Sequence, residues 1–259
     1  MSMQQEEILF EKERAIATIT INRPDKLNTV TAAMGRALFS IADQINQDDE
    51  VRVVIVTGVG DRAFSAGSDV KTLDAYGTNW QMRNRPDYNR ALWSIRKPMI
   101  AAIRGYCIGG GLEIALNCDI RIATPSARFG AGEIKLGWHG GAGNTQLLPR
   151  LVGYGKALQM LLTGDMIDAA EAHRTGLVQE VVSEDQLEPS VRTLAVQIAR
   201  NAPIAVQLTK HLVRISESTT PEVGLAYEND LFAYCFTTRD SQEGRAAFRE
   251  KREPVFTGE

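Results

Sequence analysis

From Ile8 to Ile21 (ILFEKERAIATITI) apolar and polar positions alternate, interrupted by charges at Glu11–Arg14, which predicts two short strands joined by a turn. Downstream, Met34, Leu38, Ile41 and Ile45 recur at intervals of four, three and four, the stripe of an amphipathic helix, with Thr31 where an N-cap belongs. Val51–Thr57 (VRVVIVT) is short and β-branched, a strand buried on both faces, and it runs into the glycine-rich GVGDRAFSAGSD. The same unit then returns. A helix is expected around Asp87–Arg96, followed by apolar Pro98–Ile103, the loop RGYCIGGGLE (Arg104–Glu113), a helical Leu112–Leu116 and the alternating strand Asp119–Ala123. Repeated strand–loop–helix units predict an α/β fold with a largely parallel sheet and right-handed crossovers. Ligands in such sheets sit at the carboxyl ends of the strands, where both glycine-rich loops fall. From about Glu184 strand signals stop, and helices are expected at Gln186–Arg200, Ala205–Ser216 and Glu222–Phe236. The expected division is a core over residues 1–195 and a helical region over 196–259.

The 259 residues are 44% hydrophobic and 24% charged, with net charge −3, a composition that excludes disordered and fibrous classes and argues against a general nucleic-acid binder. Cys107, Cys118 and Cys235 are odd in number and have no close-spaced pair, so neither a disulfide framework nor a cysteine-rich zinc site is expected, and a reducing, cytoplasmic location fits. Met1–Glu13 carries Glu6, Glu7, Glu11 and Glu13 without a basic n-region, unlike a secretory or transit segment, and no apolar run is long enough to span a bilayer. There is no HExxH, P-loop or GxGxxG pattern, and Ser65 and Ser68 stand in FSAGSD rather than in a GxSxG elbow.

What remains is acid–base and oxyanion chemistry. Gly109–Gly111 opens a short apolar helix after a buried strand, where free N–H groups can bind an anion or stabilise an oxyanion; read alone, the triplet is better accounted for by a tight strand-to-helix turn, which is common in such sheets. Glu113, in GGGLEIAL, and Glu133, in FGAGEIKLG, are carboxyls in apolar surroundings, where desolvation would raise their pKa toward a useful acid–base range. Two such groups converging on one cavity can divide acid and base roles; read singly, each also fits a paired or capping glutamate. His139, among glycines in GWHGGAGN, is the histidine placed nearest this chemistry, although a lone histidine is more often structural.

Taken together, AFSAGSDVK (Ala63–Lys71), KPMIAAIRGYCIGGGLEIALNCDIRIA (Lys97–Ala123), ARFGAGEIKLG (Ala127–Gly137) and GAGNTQLLPRLVG (Gly141–Gly153) resemble the crotonase, or enoyl-CoA hydratase/isomerase, superfamily. NRPDKLN (Asn22–Asn28) and the tail Glu243–Phe256 are also similar to it, so the resemblance runs from about Ile8 to Phe256. It implies a crotonase-like spiral of ββα units with a helical C-terminal trimerisation region, the trimers often pairing into hexamers. It implies an enoyl-CoA hydratase, a hydro-lyase adding water reversibly and syn to a 2-enoyl-CoA, with coenzyme A as part of the substrate and no separate cofactor or metal. By the same resemblance, the backbone N–H groups of Ser68 and Gly110 hold the thioester oxygen and Glu113 and Glu133 are catalytic. Glu113 would polarise water and Glu133 would exchange the α-proton. Lys26, Leu27, Ala66, Asp69 and Val70 would line the coenzyme, and Phe248 and Lys251 would reach in from a neighbouring subunit.

Three departures stand out. Ser68 replaces the alanine common in hydratases. Where many read G-x-x-P-G-A-G-G-T-Q, this chain has Gly140 for the proline and Asn144 for a glycine. Trp138 and His139 are expected to reshape the acyl pocket toward a bulkier, polar or aromatic group. Sibling reactions of the fold, double-bond isomerisation or hydroxyacyl-CoA cleavage, are the enzymatic alternatives. RNA binding is the alternative of another class, with only the interrupted REKRE (Arg249–Glu253) in its favour.

Overall fold

The computed structural model describes residues 6–259. Strands β1 (Ile8–Glu13) and β2 (Ile16–Ile21) form the expected antiparallel hairpin. Strands β3 (Val53–Gly58), β5 (Met99–Ile103), β7 (Ile120–Ala123) and β10 (Glu180–Val181) extend it in parallel, in the order β1-β2-β3-β5-β7-β10; β3 starts two residues later than the apolar run does. A second sheet, β4-β6-β8-β9, is made of β4 (Ala63–Ser65), β6 (Tyr106–Ile108), β8 (Arg128–Gly130) and β9 (Ile167–Asp168). Successive turns of the chain lay one strand in each sheet, β3 then β4, β5 then β6, β7 then β8, so the α/β fold is a spiral of ββα units.

Alternation along the strands explains why the main sheet reads as continuous apolar runs. Ala17, Ile19, Ile21, Val54, Val56, Met99, Ala101 and Ile103 face one core, together with Met34, Leu38 and Ile45 of α1 (Ala32–Gln47), the helix that Thr31 caps. Ile16, Val53, Ile55, Ile100, Ala102 and Ile122 face the other, against Leu187, Val191 and Ala195 of α9 (Leu187–Ala199). Both faces are covered, as parallel sheets require. Helix α9 continues through residues 195 and 196, so the core's second cover straddles the expected division.

Between these lie α2 (Val70–Leu73), α3 (Asn79–Arg83), α4 (Tyr88–Trp93), α5 (Gly110–Asn117), α6 (Asn144–Val152), α7 (Tyr154–Thr163) and α8 (Ala169–Arg174). Helix α4 is shorter than expected, because Lys97-Pro98 returns the chain to the sheet. After α9 come α10 (Pro203–Ser216) and α11 (Pro221–Phe236), near their expected bounds, and α12 (Arg239–Glu250), which sequence patterning missed.

Helix α5 is fixed from its carboxyl end by a buried cation. Arg121 of β7 is 2% exposed, and its guanidinium donates to Ala115 O at 3.1 Å, Cys118 O at 2.7 Å and Leu177 O at 2.6 Å. It thereby caps the last turn of α5 and ties it to the segment before β10. Replacing Arg121→Met leaves several buried carbonyls without donors, and urea unfolding should show a loss of about 3 kcal/mol or more.

Candidate active site

The site forms where the second sheet's strands end. Two loops, one after β4 and one after β6, meet there at backbone distance. Gly67 has φ +85, and a Cβ on it would stand 2.4 Å from Gly110 N; a Cβ on Gly111 would stand 1.9 Å from Ser65 O. Only glycine permits this approach. The first loop is held from below: Ser65 Oγ donates to Asn28 O at 2.8 Å and accepts from Gly67 N at 3.1 Å. Asn28 Nδ2 reaches Ala63 O at 2.7 Å, and Arg23 pairs with Asp69 at 3.1 Å. The NRPDKLN block is therefore a bracket for the loop. It also sets Leu27 beside Ala66, whose N–H donates to Leu27 O, while just beyond the block Val30 O accepts from Asp69 N.

Ser68 N and Gly110 N have no acceptor among the described residues. Gly110 is the first residue of α5, where backbone N–H groups have no partner within the helix. The two donors are neighbours across the Gly67–Gly110 contact. Beside them, Tyr88 Oη lies 2.9 Å from Ser68 Oγ, and a Cβ at Gly110 would stand 2.0 Å from that phenol. Burial pushes the Tyr88 phenol well above the ordinary tyrosine range, so it stays protonated. Sequence reasoning missed Tyr88: its only signal is an aromatic in a polar stretch.

Glu113 and Glu133 come together. Glu113, 4% exposed on the first turn of α5, accepts from Ala142 N at 2.7 Å and more weakly from Asn144 N at 3.4 Å. Burial, reinforced by the Glu133 charge, pushes its carboxyl up to about 7 against the pull of those N–H groups. Glu133 is raised too, again chiefly by burial, with the Asn144 side chain and His139 acting the other way. Asn144 joins the pair: its Nδ2 donates to Glu133 Oε1 at 2.9 Å and approaches Gly109 O at 3.4 Å. Glu133 Oε2 and Asn144 Oδ1 are buried acceptors without a protein donor, a cost that a bound hydroxyl or water offsets.

A 230 Å³ slot adjoins Glu133, walled by Ile134, Pro149, Ala157, Leu158 and Leu161, with His139 on its wall. Trp138 is 41% exposed and is not part of that lining; its N–H donates to Glu133 O at 3.3 Å. Phe248, 86% exposed, and Lys251 lie at the end of α12, and within one chain no hydrogen bond or ion pair among the described residues links them to this group.

The enoyl-CoA hydratase/isomerase family profile matches residues 11–259. The chain belongs to that family. It is 39% identical over 254 residues to the short-chain-enoyl-CoA hydratase of Clostridium acetobutylicum, covering 96% of this chain and 97% of the relative. It is 38% identical to the (E)-benzylidenesuccinyl-CoA hydratase of Thauera aromatica, covering 97% and 99%. The solved structure of an enoyl-CoA hydratase from Bacillus anthracis is similar with a TM-score of 0.91 at 37% identity, over 98% of this chain and all of that one.

Against the family pattern, the departures at 140 and 144 explain each other. A Cβ at position 140 would fall 2.7 Å from Asn144 Cβ and 2.9 Å from Glu113 Oε1, so the asparagine demands glycine at 140. Gly140→Pro alone should therefore destabilise the protein and impair the site, whereas Gly140→Pro with Asn144→Gly should recover most of the loss. Thermal melts of the two singles and the double check this; additive losses would refute the coupling.

Proposed function

We propose that the chain is an enoyl-CoA hydratase and that Ser68, Gly110, Glu113 and Glu133 are its working groups. The observation that carries this reading is the convergence of two unpartnered backbone N–H groups with one buried and one half-buried carboxyl, bridged by Asn144. With the thioester oxygen between Ser68 N and Gly110 N, negative charge developing there meets fixed dipoles. Such donors stabilise the enolate-like transition state more than the substrate. Water attacks the β-carbon and gives a proton to Glu113, while the α-carbon takes one from Glu133. On return the roles reverse. The pair works with one proton between the two carboxyls, which mutual repulsion and desolvation favour over two charges.

The slot beside Glu133, with His139 at its wall, forms one side of the proposed acyl site. The relatives' names span short-chain and benzylidenesuccinyl thioesters, so acyl choice varies on this scaffold. Coenzyme A enters as part of the substrate along Lys26, Leu27, Ala66, Asp69 and Val70, and the chemistry calls for no metal or redox cofactor. Among the described residues no helix is long and apolar enough to cross a membrane. Free cysteines at 107, 118 and 235 fit a cytoplasmic enzyme. The exposed apolar side chains Val213, Leu225, Phe232, Tyr234 and Phe236 on α10 and α11 suit burial between subunits of a trimer or hexamer, where Phe248 and Lys251 would meet a neighbour's substrate.

Incubation with a panel of 2-enoyl-CoAs should give loss of the conjugated absorbance and a mass gain of one water, with a bell-shaped pH profile that falls on either side of the range in which the pair holds one proton. Glu113→Gln and Glu133→Gln should each lower kcat by roughly a hundredfold to ten-thousandfold. Isomerised or cleaved products without hydration would move the function to a sibling reaction.

A further inference from the structure

Against the loop that holds Glu113 stands a cation that hydration does not use. Arg85 is half-buried just before α4, and its Nη1 donates to Met82 O at 3.0 Å. It pairs with no carboxylate among the described residues. Its Nη2 lies against the loop that holds Glu113: a Cβ at Gly141 would stand 3.2 Å from that nitrogen. On either side of Gly141 the chain touches Glu113, at Gly140, whose Cβ would be 2.9 Å from Oε1, and at Ala142, whose N–H donates to the same oxygen at 2.7 Å. From the other direction, the Arg85 charge acts on the Tyr88 phenol, which rests against Gly110 and Ser68. The guanidinium thus lies between the segment that carries Tyr88 and the Gly140–Ala142 loop that touches the water-handling carboxyl.

That placement has a chemical consequence. A guanidinium offers five N–H donors in a planar fork, and here one meets a backbone carbonyl while no carboxylate takes the rest. The surroundings already hold Glu113, Glu133 and Asp87, so an anionic substituent would be repelled unless a cation balanced it. A plain alkyl chain would leave the fork unmatched, and a carboxylate matches it with two parallel bonds.

We propose that the acyl group this enzyme hydrates carries a free carboxylate, held by Arg85 while the thioester oxygen sits at Ser68 and Gly110. This rests on the hydratase reading, and the two can be tested apart. The probes are glutaconyl-CoA, a five-carbon enoyl thioester ending in a carboxylate, and 2-pentenoyl-CoA, of the same length and ending in a methyl. The wild-type protein should favour the carboxylate in kcat/KM by roughly tenfold to a hundredfold, the range of a charged hydrogen-bonded contact. In Arg85→Gln that ratio should collapse toward unity, and Arg85→Lys should keep part of it.

A wild-type ratio near one, or an Arg85→Gln protein that retains the ratio, overturns the proposal. So does a variant whose only change is a displaced pH profile, which would make Arg85 a positioning residue for Glu113. If neither thioester is hydrated, the hydratase reading fails, and calorimetry with the saturated glutaryl-CoA and pentanoyl-CoA decides the Arg85 assignment alone. Tighter binding of glutaryl-CoA that Arg85→Gln abolishes upholds it, and equal binding of the two refutes it. Melting curves of both variants establish that they are folded.

Discussion

The site depends on one steric constraint, the backbone-to-backbone approach of Gly67 and Gly110. A side chain at 67 would strike Gly110 N, and one at 110 would strike the Tyr88 phenol. The contact brings two N–H groups from separate turns of the spiral next to each other. Neither turn alone presents such a pair of donors. Parallel pairing of β4 with β6, and of β6 with β8, supplies the alignment, and the Asn28 and Ser65 hydrogen bonds hold the first loop in register with the second. Because the proposed donor at 68 is a backbone N–H, a serine there leaves it available, whereas position 110 admits only glycine.

Around that constraint the protein accumulates unfavourable charge and compensates it locally. Glu113 loses most of its water yet keeps the Ala142 N–H; Glu133 loses less and keeps the Asn144 amide. The opposing effects leave both carboxyls easier to protonate than in water, the condition for passing a proton in either direction near neutrality. Arg121 serves the same end from a distance by capping the helix that carries Glu113.

In the larger sheet β3 and β5 were legible because they bury both faces and read as apolar runs, β1, β2 and β7 because they alternate, and α1 because its stripe has helical period and a threonine cap, while the two-residue β10 carried no signal. The second sheet was not: β4, β6 and β8 are three residues each, too short for periodicity, and exist because parallel neighbours pair with them. Glu113 and Glu133 were recognisable as candidates from their apolar neighbours, but their convergence came only through family resemblance, since it depends on the loop after Glu133 folding back over α5. Asn144 stood out as a departure without an evident purpose; the purpose appears once its side chain is seen on Glu133 and its Cβ against position 140. Tyr88 and Arg85 carried no pattern, because what gives them meaning is contact with loops far along the chain.

The central claim is that Ser68 N and Gly110 N together polarise the thioester carbonyl. Infrared difference spectroscopy of a saturated, unreactive acyl-CoA labelled with carbon-13 at that carbonyl, free and bound to the protein, tests it most directly. The labelled stretch should move to lower frequency on binding than in water, as two aligned donors require. A bound carbonyl at its aqueous frequency would contradict the account.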